Sequence, residues 1–122
     1  MRAGHPIMRI TYLAPLLVAS LVLPAQAAEK LRFWNLTDVT IVELMLAPAG
    51  TEQWGKNQCL NDADKSVSAD ERLTLTDVTP GRYDVKLTGK SGRACLVRNV
   101  ELKGGGPYAF SIANGDLGDC KL

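Results

Sequence analysis

Apolar and polar residues alternate in short runs along most of the chain after residue 28, and Gly, Pro, Asn or Asp interrupts the pattern about every ten residues. In YDVKL, residues 83–87, every second side chain is apolar. A period of two is typical of a β-strand with one buried face. The pattern predicts an all-β domain of six or seven short antiparallel strands.

The first two runs carry apolar residues on both faces. In KLRFWNL, residues 30–36, Phe33 lies on one face and Trp34 on the other, so we expect Trp34 to be shielded from solvent. In VTIVELMLA, residues 39–47, both faces are largely apolar, and one of them consists of Val42, Leu44 and Leu46. The second run therefore predicts a central strand that is covered on both sides.

The segment PGRYDVKLTGKSGRACLVRNV, residues 80–100, predicts a hairpin that turns between Gly89 and Gly92. The alternation in its second strand changes phase at Arg98 and Asn99, where we predict a β-bulge. Regular alternation is absent for about 20 residues before Arg72. Because structureless loops of that length are uncommon in compact domains, we expect a short strand at 66–68 or a self-packed loop.

The first 27 residues have the features of an export signal. Arg9 precedes the apolar run YLAPLLVASLVLPAQA, which ends in the small-x-small triplet at 25–27. We therefore expect a single mature domain, residues 28–122, that is periplasmic or secreted. The apolar run at 12–23 is shorter than the roughly 20 residues that span a bilayer, and no cysteine follows the triplet, so we expect no membrane anchor.

Composition excludes several classes of function. Without Arg2 and Arg9, the mature domain has twelve basic and thirteen acidic residues and no basic stripe, so we expect no nucleic-acid partner. The single histidine, His5, lies in the predicted signal. The mature domain thus lacks an imidazole for general base catalysis, and we expect that it is not an enzyme.

Three cysteines remain after export, and an oxidising compartment favours one disulfide with one cysteine left over. Sequence alone permits all three pairings. We favour Cys95 with Cys120, which would attach the C-terminal tail to a strand and contribute roughly 3 to 4 kcal/mol. Cys59 would then be an inert buried thiol, an intermolecular bridge in a homodimer, or a redox group.

The segment LTDVTPGRYDVKLTGKSGRACLVRNVELKGG, residues 75–105, resembles the module of prealbumin-like and carboxypeptidase-regulatory-like sandwiches. Nearly all of the mature chain is similar to small exported bacterial proteins of unknown function, with WGKNQ at 54–58 as the most specific element. The number and spacing of the predicted strands fit a two-sheet sandwich of immunoglobulin-like or transthyretin-like type. The resemblance implies a periplasmic β-sandwich and a Cys95–Cys120 disulfide, and it implies no activity. Cys59 departs from the family pattern.

The segment NDADKSVSADE, residues 61–71, resembles a calcium loop in its alternating oxygen-bearing residues. A calcium or lanthanide site would draw on four carboxylates: Asp62, Asp64, Asp70 and Glu71. However, Val67 stands where an EF-hand requires glycine, and Leu73 stands where it requires a bidentate glutamate. A solvated loop is the competing interpretation, and otherwise we expect no cofactor.

The WGKNQ segment has two interpretations. Trp54 could present a flat surface for recognition beside the amides of Asn57 and Gln58. Alternatively, Trp54 could fold back and cap the core, while the amides bond to backbone groups.

Two other groups of residues carry candidate chemistry. Glu43, Asp77 and Asp84 are the carboxylates that a glycosidase-like pair would use, although outward-facing charges on strands are usually solvated. The sequence Asn35-Leu36-Thr37 matches a glycosylation sequon, for which a turn is the simpler explanation.

These patterns predict a non-enzymatic periplasmic or secreted protein that binds an unidentified protein or small ligand through end loops or an edge strand. The alternative is a periplasmic protein that binds a hard cation through the acidic loop at 61–71.

Overall fold

The computed structural model describes Gly4 and residues 30–122, so the predicted signal at 1–27 lies almost entirely outside the described residues. Residues 30–122 are mostly β-structure, as the alternation predicted. The strands are β1 (Arg32–Leu36), β2 (Ile41–Pro48), β3 (Arg72–Thr74), β4 (Gly81–Gly89), β5 (Ala94–Leu102) and β6 (Phe110–Ala113). Two short 3-10 turns occupy Gln58–Asn61 and Asn114–Leu117.

The strands form two three-stranded sheets, with orders β3-β1-β6 and β2-β4-β5. Strand β1 pairs antiparallel with β3 but parallel with β6, so the prediction of an entirely antiparallel arrangement was wrong. Hydrophobic alternation reports which face of a strand is buried and carries no information about the direction of its neighbour. Among the described residues, no helix is long and apolar enough to span a bilayer.

One hydrophobic core lies between the inward faces of both sheets. Its largest buried side chains include Phe33 and Ile112 from one sheet and Leu44, Leu87 and Leu102 from the other. The rings of Phe33 and Phe110 lie 4.9 Å apart, in the range where tilted aromatic pairs attract. The shared core fixes the relative position of the two sheets and hence of the surfaces that they carry.

Strand β2 lies at the edge of its sheet, so the prediction of a central strand was wrong. Its pairing with β4 is irregular between Ile41 and Glu43, and this irregularity changes which side chains point inward. Ile41, Leu44 and Leu46 are buried, whereas Val42 is only partly buried. The apolar residues on both faces reflect this phase change rather than a fully covered strand.

The β4–β5 hairpin and its predicted bulge are confirmed. Tyr83 pairs with Val100 and Val85 with Val97, so Asp84 faces two residues, Arg98 and Asn99. The expected strand at 66–68 is reduced to a single antiparallel bridge, in which Val67 and Ile41 exchange both backbone hydrogen bonds at 2.9 Å.

The C-terminal tail is attached to the domain by the predicted disulfide, which joins Cys95 in β5 to Cys120. Leu117 enters the core, and Leu122 packs against Gly89. Both the covalent bond and apolar burial therefore hold the tail in place.

Candidate functional site

The WGKNQ loop covers the outer edge of β2. The Oδ1 atom of Asn57 accepts a hydrogen bond from the Leu44 N–H at 3.0 Å, and its Nδ2 donates to the Val42 carbonyl at 3.2 Å. The Gly55 N–H donates to the Leu46 carbonyl at 2.9 Å. An exposed strand edge is prone to pair with other chains, and these bonds occupy the edge of β2.

Gln58 makes the equivalent connection to the other sheet. Its Nε2 donates to the Thr76 carbonyl and its Oε1 accepts from the Thr76 N–H, both at 3.0 Å, just beyond the end of β3. Asn61 Nδ2 donates to the Thr74 carbonyl at 2.9 Å. Adjacent amide side chains at 57 and 58 therefore join the edges of the two sheets, as the structural interpretation of this loop expected.

Trp54 is partly exposed. It lines a hollow of about 260 Å³ together with Lys86, Leu96 and Arg98, and it is not part of the core cluster. Its predicted position as a cap on the core was wrong, because the backbone bond at Gly55 holds the loop along the edge of β2. Of the three predicted recognition residues, Asn57 and Gln58 use their side-chain amides in hydrogen bonds to backbone groups. Only the Trp54 side chain takes no part in these bonds.

Cys59 is fully buried between the sheets, with its Sγ 3.7 Å from the Ile41 carbonyl. Burial, together with the negative charges of Asp62 and Glu43, raises the pKa of the Cys59 thiol to about 12. The reactive thiolate is therefore scarce at neutral pH. A bridge through Cys59 to a second chain would require this part of the domain to open first.

The acidic segment does not bring its carboxylates together. Asp62 accepts a bond from the Asp64 N–H at 2.9 Å, and Glu71 accepts one from the Ser68 N–H at 3.2 Å. Asp70 instead accepts a bond from the Trp34 indole N–H at 3.1 Å. Residues 30–122 contain no group of three acidic, histidine or cysteine side chains arranged to hold a metal ion. The geometry thus gives no support to the cation-binding alternative.

Asp84 is buried, contrary to its expected outward orientation. Its carboxylate accepts backbone N–H bonds from Gly50 and Asn99, both at 3.0 Å, and lies 3.4 Å from the Arg98 guanidinium. These bonds hold the pKa of Asp84 below its usual value, and the bond from Gly50 has the largest effect. Together they outweigh burial, which acts to raise the pKa. Asp84 therefore fixes the bulge in β5 and the turn after β2.

The other two carboxylates considered for a glycosidase-like pair lie on separate parts of the chain. Glu43 in β2 accepts a bond from the Thr88 hydroxyl at 3.3 Å, and Asp77 lies in the exposed loop after β3. With Asp84 engaged by backbone donors, the arrangement gives no acid–base pair.

The turn interpretation of the sequon is confirmed. Asn35 is fully buried, and its Nδ2 donates to the carbonyls of Val39 and Val67 at 2.9 and 3.0 Å. Its Oδ1 accepts bonds from the Thr37 N–H and hydroxyl. An amide with both atoms occupied inside the fold is not available to a glycosyl donor.

The outer face of sheet β3-β1-β6 carries a cluster that the sequence did not predict. The Arg72 guanidinium carbon lies 4.3 Å from the Trp34 ring centroid, within cation–π range. The Tyr108 ring lies 5.2 Å from Trp34, inclined by 56°. Arg32 projects from the same face, because it precedes Trp34 by two positions in β1. We call Arg32, Trp34, Arg72 and Tyr108 the aromatic face.

Trp34 is only partly buried, so the expectation that it is shielded was wrong. Alternation in KLRFWNL places Trp34 on the face opposite Phe33 but does not show that this face is exposed, because both faces carry apolar residues. The contact between Trp34 and Arg72 follows from the β1–β3 register, in which these two residues are directly opposite each other. Register depends on tertiary pairing, so the sequence pattern could not show that Trp34 and Arg72 meet.

Comparison with family models, with curated proteins and with solved structures gives no match for this chain. The resemblance to prealbumin-like modules therefore remains a prediction.

Proposed function

We propose that residues 28–122 form an exported, non-enzymatic β-sandwich of immunoglobulin-like or transthyretin-like type that binds a ligand through the aromatic face. The two sheets around one core support the sandwich assignment. The Cys95–Cys120 disulfide is compatible with a periplasmic or secreted location, since such bonds persist in oxidising compartments.

The observation that carries the proposal is the exposed contact between Arg72, Trp34 and Tyr108. Tyr108 is 36% exposed, and both arginines on this face are exposed. Tryptophan, tyrosine and arginine are the residues that contribute most often to binding energy at recognition surfaces. The WGKNQ amides, in contrast, are occupied by backbone groups.

The indole of Trp34 is held in a fixed position. Its Nε1–H lies 3.1 Å from the Asp70 carboxylate and 3.3 Å from the Asp70 carbonyl. A surface whose aromatic group is already oriented loses less conformational entropy when it binds. This anchoring favours a binding surface over an incidental exposed side chain.

A binding screen on immobilised oligosaccharides and peptides tests the proposal with the purified, disulfide-bonded protein. The test variant combines Arg72→Ala with Tyr108→Ala. The matched control combines Arg93→Ala with Leu96→Ala, an exposed arginine and an exposed apolar residue in the β4–β5 region of the other sheet.

We expect each ligand of the wild-type protein to bind the control variant equally well and the test variant at least 10-fold more weakly. If a ligand binds both variants with the wild-type affinity, or if its affinity falls equally for both, the ligand is recognised elsewhere on the protein. Circular dichroism of each variant separates loss of binding from loss of fold.

A further inference from the structure

The two arginines of the aromatic face form no ion pair within the described part of the chain. Arg32 and Arg72 take part in neither of the two ion pairs there, which join Arg82 to Glu101 and Arg98 to Asp84. The nearby carboxylate of Asp70 is engaged by the indole N–H of Trp34. Two exposed guanidinium groups therefore lie on this face with their N–H donors free for an anion.

The two arginines are close neighbours on the sheet. Arg32 pairs with Thr74 and Trp34 pairs with Arg72, so Arg32 and Arg72 are diagonal neighbours on adjacent antiparallel strands. Diagonal positions lie about 7 to 8 Å apart, which long side chains can bridge to a shared ligand. The face thus combines a pair of cationic groups with an aromatic surface.

A shallow hollow adjoins the aromatic face at Tyr108. It has a volume of about 600 Å³, and its wall includes Lys103, Ser111 and the glycine-rich loop at 104–107. Three consecutive glycines leave backbone groups exposed without side chains above them. Glu101 also lines this hollow, but its carboxylate lies 3.9 Å from Arg82, which offsets its charge.

On the basis of the proposed function, we propose that the ligand is an acidic oligosaccharide whose sugar rings carry carboxylates. A sugar ring has an apolar C–H face that packs on the exposed ring of Tyr108, and hydroxyl edges that bond to exposed backbone groups at 104–106. Its carboxylate matches the planar fork of an arginine, which binds such groups with two parallel hydrogen bonds.

The shape of the surface favours a sugar chain over an extended peptide. Peptides gain specificity from pockets that receive alternate side chains. The aromatic face offers a contiguous arginine–aromatic surface and a glycine-lined hollow in place of such pockets. A chain of rings with polar groups on every edge fits these features.

Isothermal titration with a short oligogalacturonate at 150 mM salt tests this inference. The fully methyl-esterified oligomer retains the rings and removes the charges, while dextran sulfate supplies negative charge on a different polymer. A neutral cello-oligosaccharide and a poly-glutamate peptide complete the panel. The variants are Arg72→Gln, Tyr108→Ala and the control Arg93→Gln, which removes one positive charge from the other sheet's hairpin.

We expect saturable binding of the oligogalacturonate, about 10-fold to 100-fold weaker for Arg72→Gln and unchanged for Arg93→Gln. The methyl ester should bind at least 10-fold more weakly, and Tyr108→Ala should weaken the binding of the acidic oligomer. Higher salt should reduce the affinity because it screens exposed charges.

The inference would be overturned by no binding of the oligogalacturonate at millimolar concentration, by equal binding of its methyl ester, or by equal losses for Arg72→Gln and Arg93→Gln. Equal binding of dextran sulfate would show a general preference for polyanions and would also overturn it. If poly-glutamate or the neutral sugar binds in an Arg72-dependent manner instead, the sugar-acid inference fails while the proposed binding face stands.

Discussion

Replacement of Asn57 by alanine should destabilise the domain by about 2 to 3 kcal/mol. The side chain makes three hydrogen bonds, to Leu44 N–H, Val42 carbonyl and Cys59 N–H, at 3.0, 3.2 and 3.0 Å. A net contribution of about 1 kcal/mol for each bond gives about 3 kcal/mol. Because Asn57 is only partly buried, water can replace part of the lost hydrogen bonding in the variant. The loss of stability then falls towards about 2 kcal/mol.

Urea unfolding at pH 7 with the disulfide intact measures the change in free energy. Gln53→Ala is the matched control, since Gln53 is an exposed amide in the same loop whose backbone N–H bonds to Thr51. We expect the control to change stability by less than about 0.5 kcal/mol.

Hydrogen exchange gives a second, local measurement of the same contact. The Leu44 amide should exchange faster in Asn57→Ala, because its only acceptor on the outer edge of β2 has been removed. If stability falls by less than about 1 kcal/mol and the Leu44 amide keeps its protection from exchange, Asn57 does not hydrogen-bond the edge of β2 as proposed.

Three further predictions concern the buried and covalent groups. Joint replacement of Cys95 and Cys120 by alanine should cost about 3.5 kcal/mol in urea unfolding for the 25-residue separation, and a loss under 1 kcal/mol would contradict a stapling role. Cys59 should react with a thiol reagent at pH 8 only in denaturant, and prompt labelling of the native protein would show an accessible thiol. Asp84→Asn should reduce stability at pH 6 more than at pH 3 in paired urea titrations. The pKa of Asp84 is lower in the folded state than in the unfolded state, so the ionised carboxylate stabilises the fold above the unfolded-state pKa. This stabilisation is lost as the pH falls through the folded-state pKa. An equal loss of stability at pH 6 and pH 3 would contradict this.

Much of the strand pattern could be predicted because alternation directly records burial. The β4–β5 hairpin and the bulge at Arg98–Asn99 follow from turn residues and a visible change of phase. The edge position of β2 and the parallel β1–β6 pair could not be predicted in this way. Strand order depends on the path that the long connections take between the sheets. The local alternation of apolar and polar residues contains no information about that path.

The site was harder to predict than the fold because amide side chains are ambiguous in a sequence. Asn57 and Gln58 have the composition of a recognition loop, yet they substitute for neighbouring strands at two sheet edges. Trp34 and Arg72, which are 38 positions apart in the chain, meet only through the β1–β3 register. The exposure of Trp34 and its proximity to Arg72 are both tertiary properties, so the alternation did not show them.

The acidic segment and the aromatic face depend on the same residue, which relates the two functional hypotheses to each other. Asp70 has a backbone φ of 67°, a conformation that costs energy for most residues but is tolerated by aspartate. In this conformation both its carboxylate and its carbonyl face the Trp34 indole N–H. A cation bound through the Asp70 carboxylate would compete with that hydrogen bond and release the indole. The geometry therefore favours a positioning role for Asp70, in which the loop that resembles a calcium site orients the tryptophan of the proposed binding face.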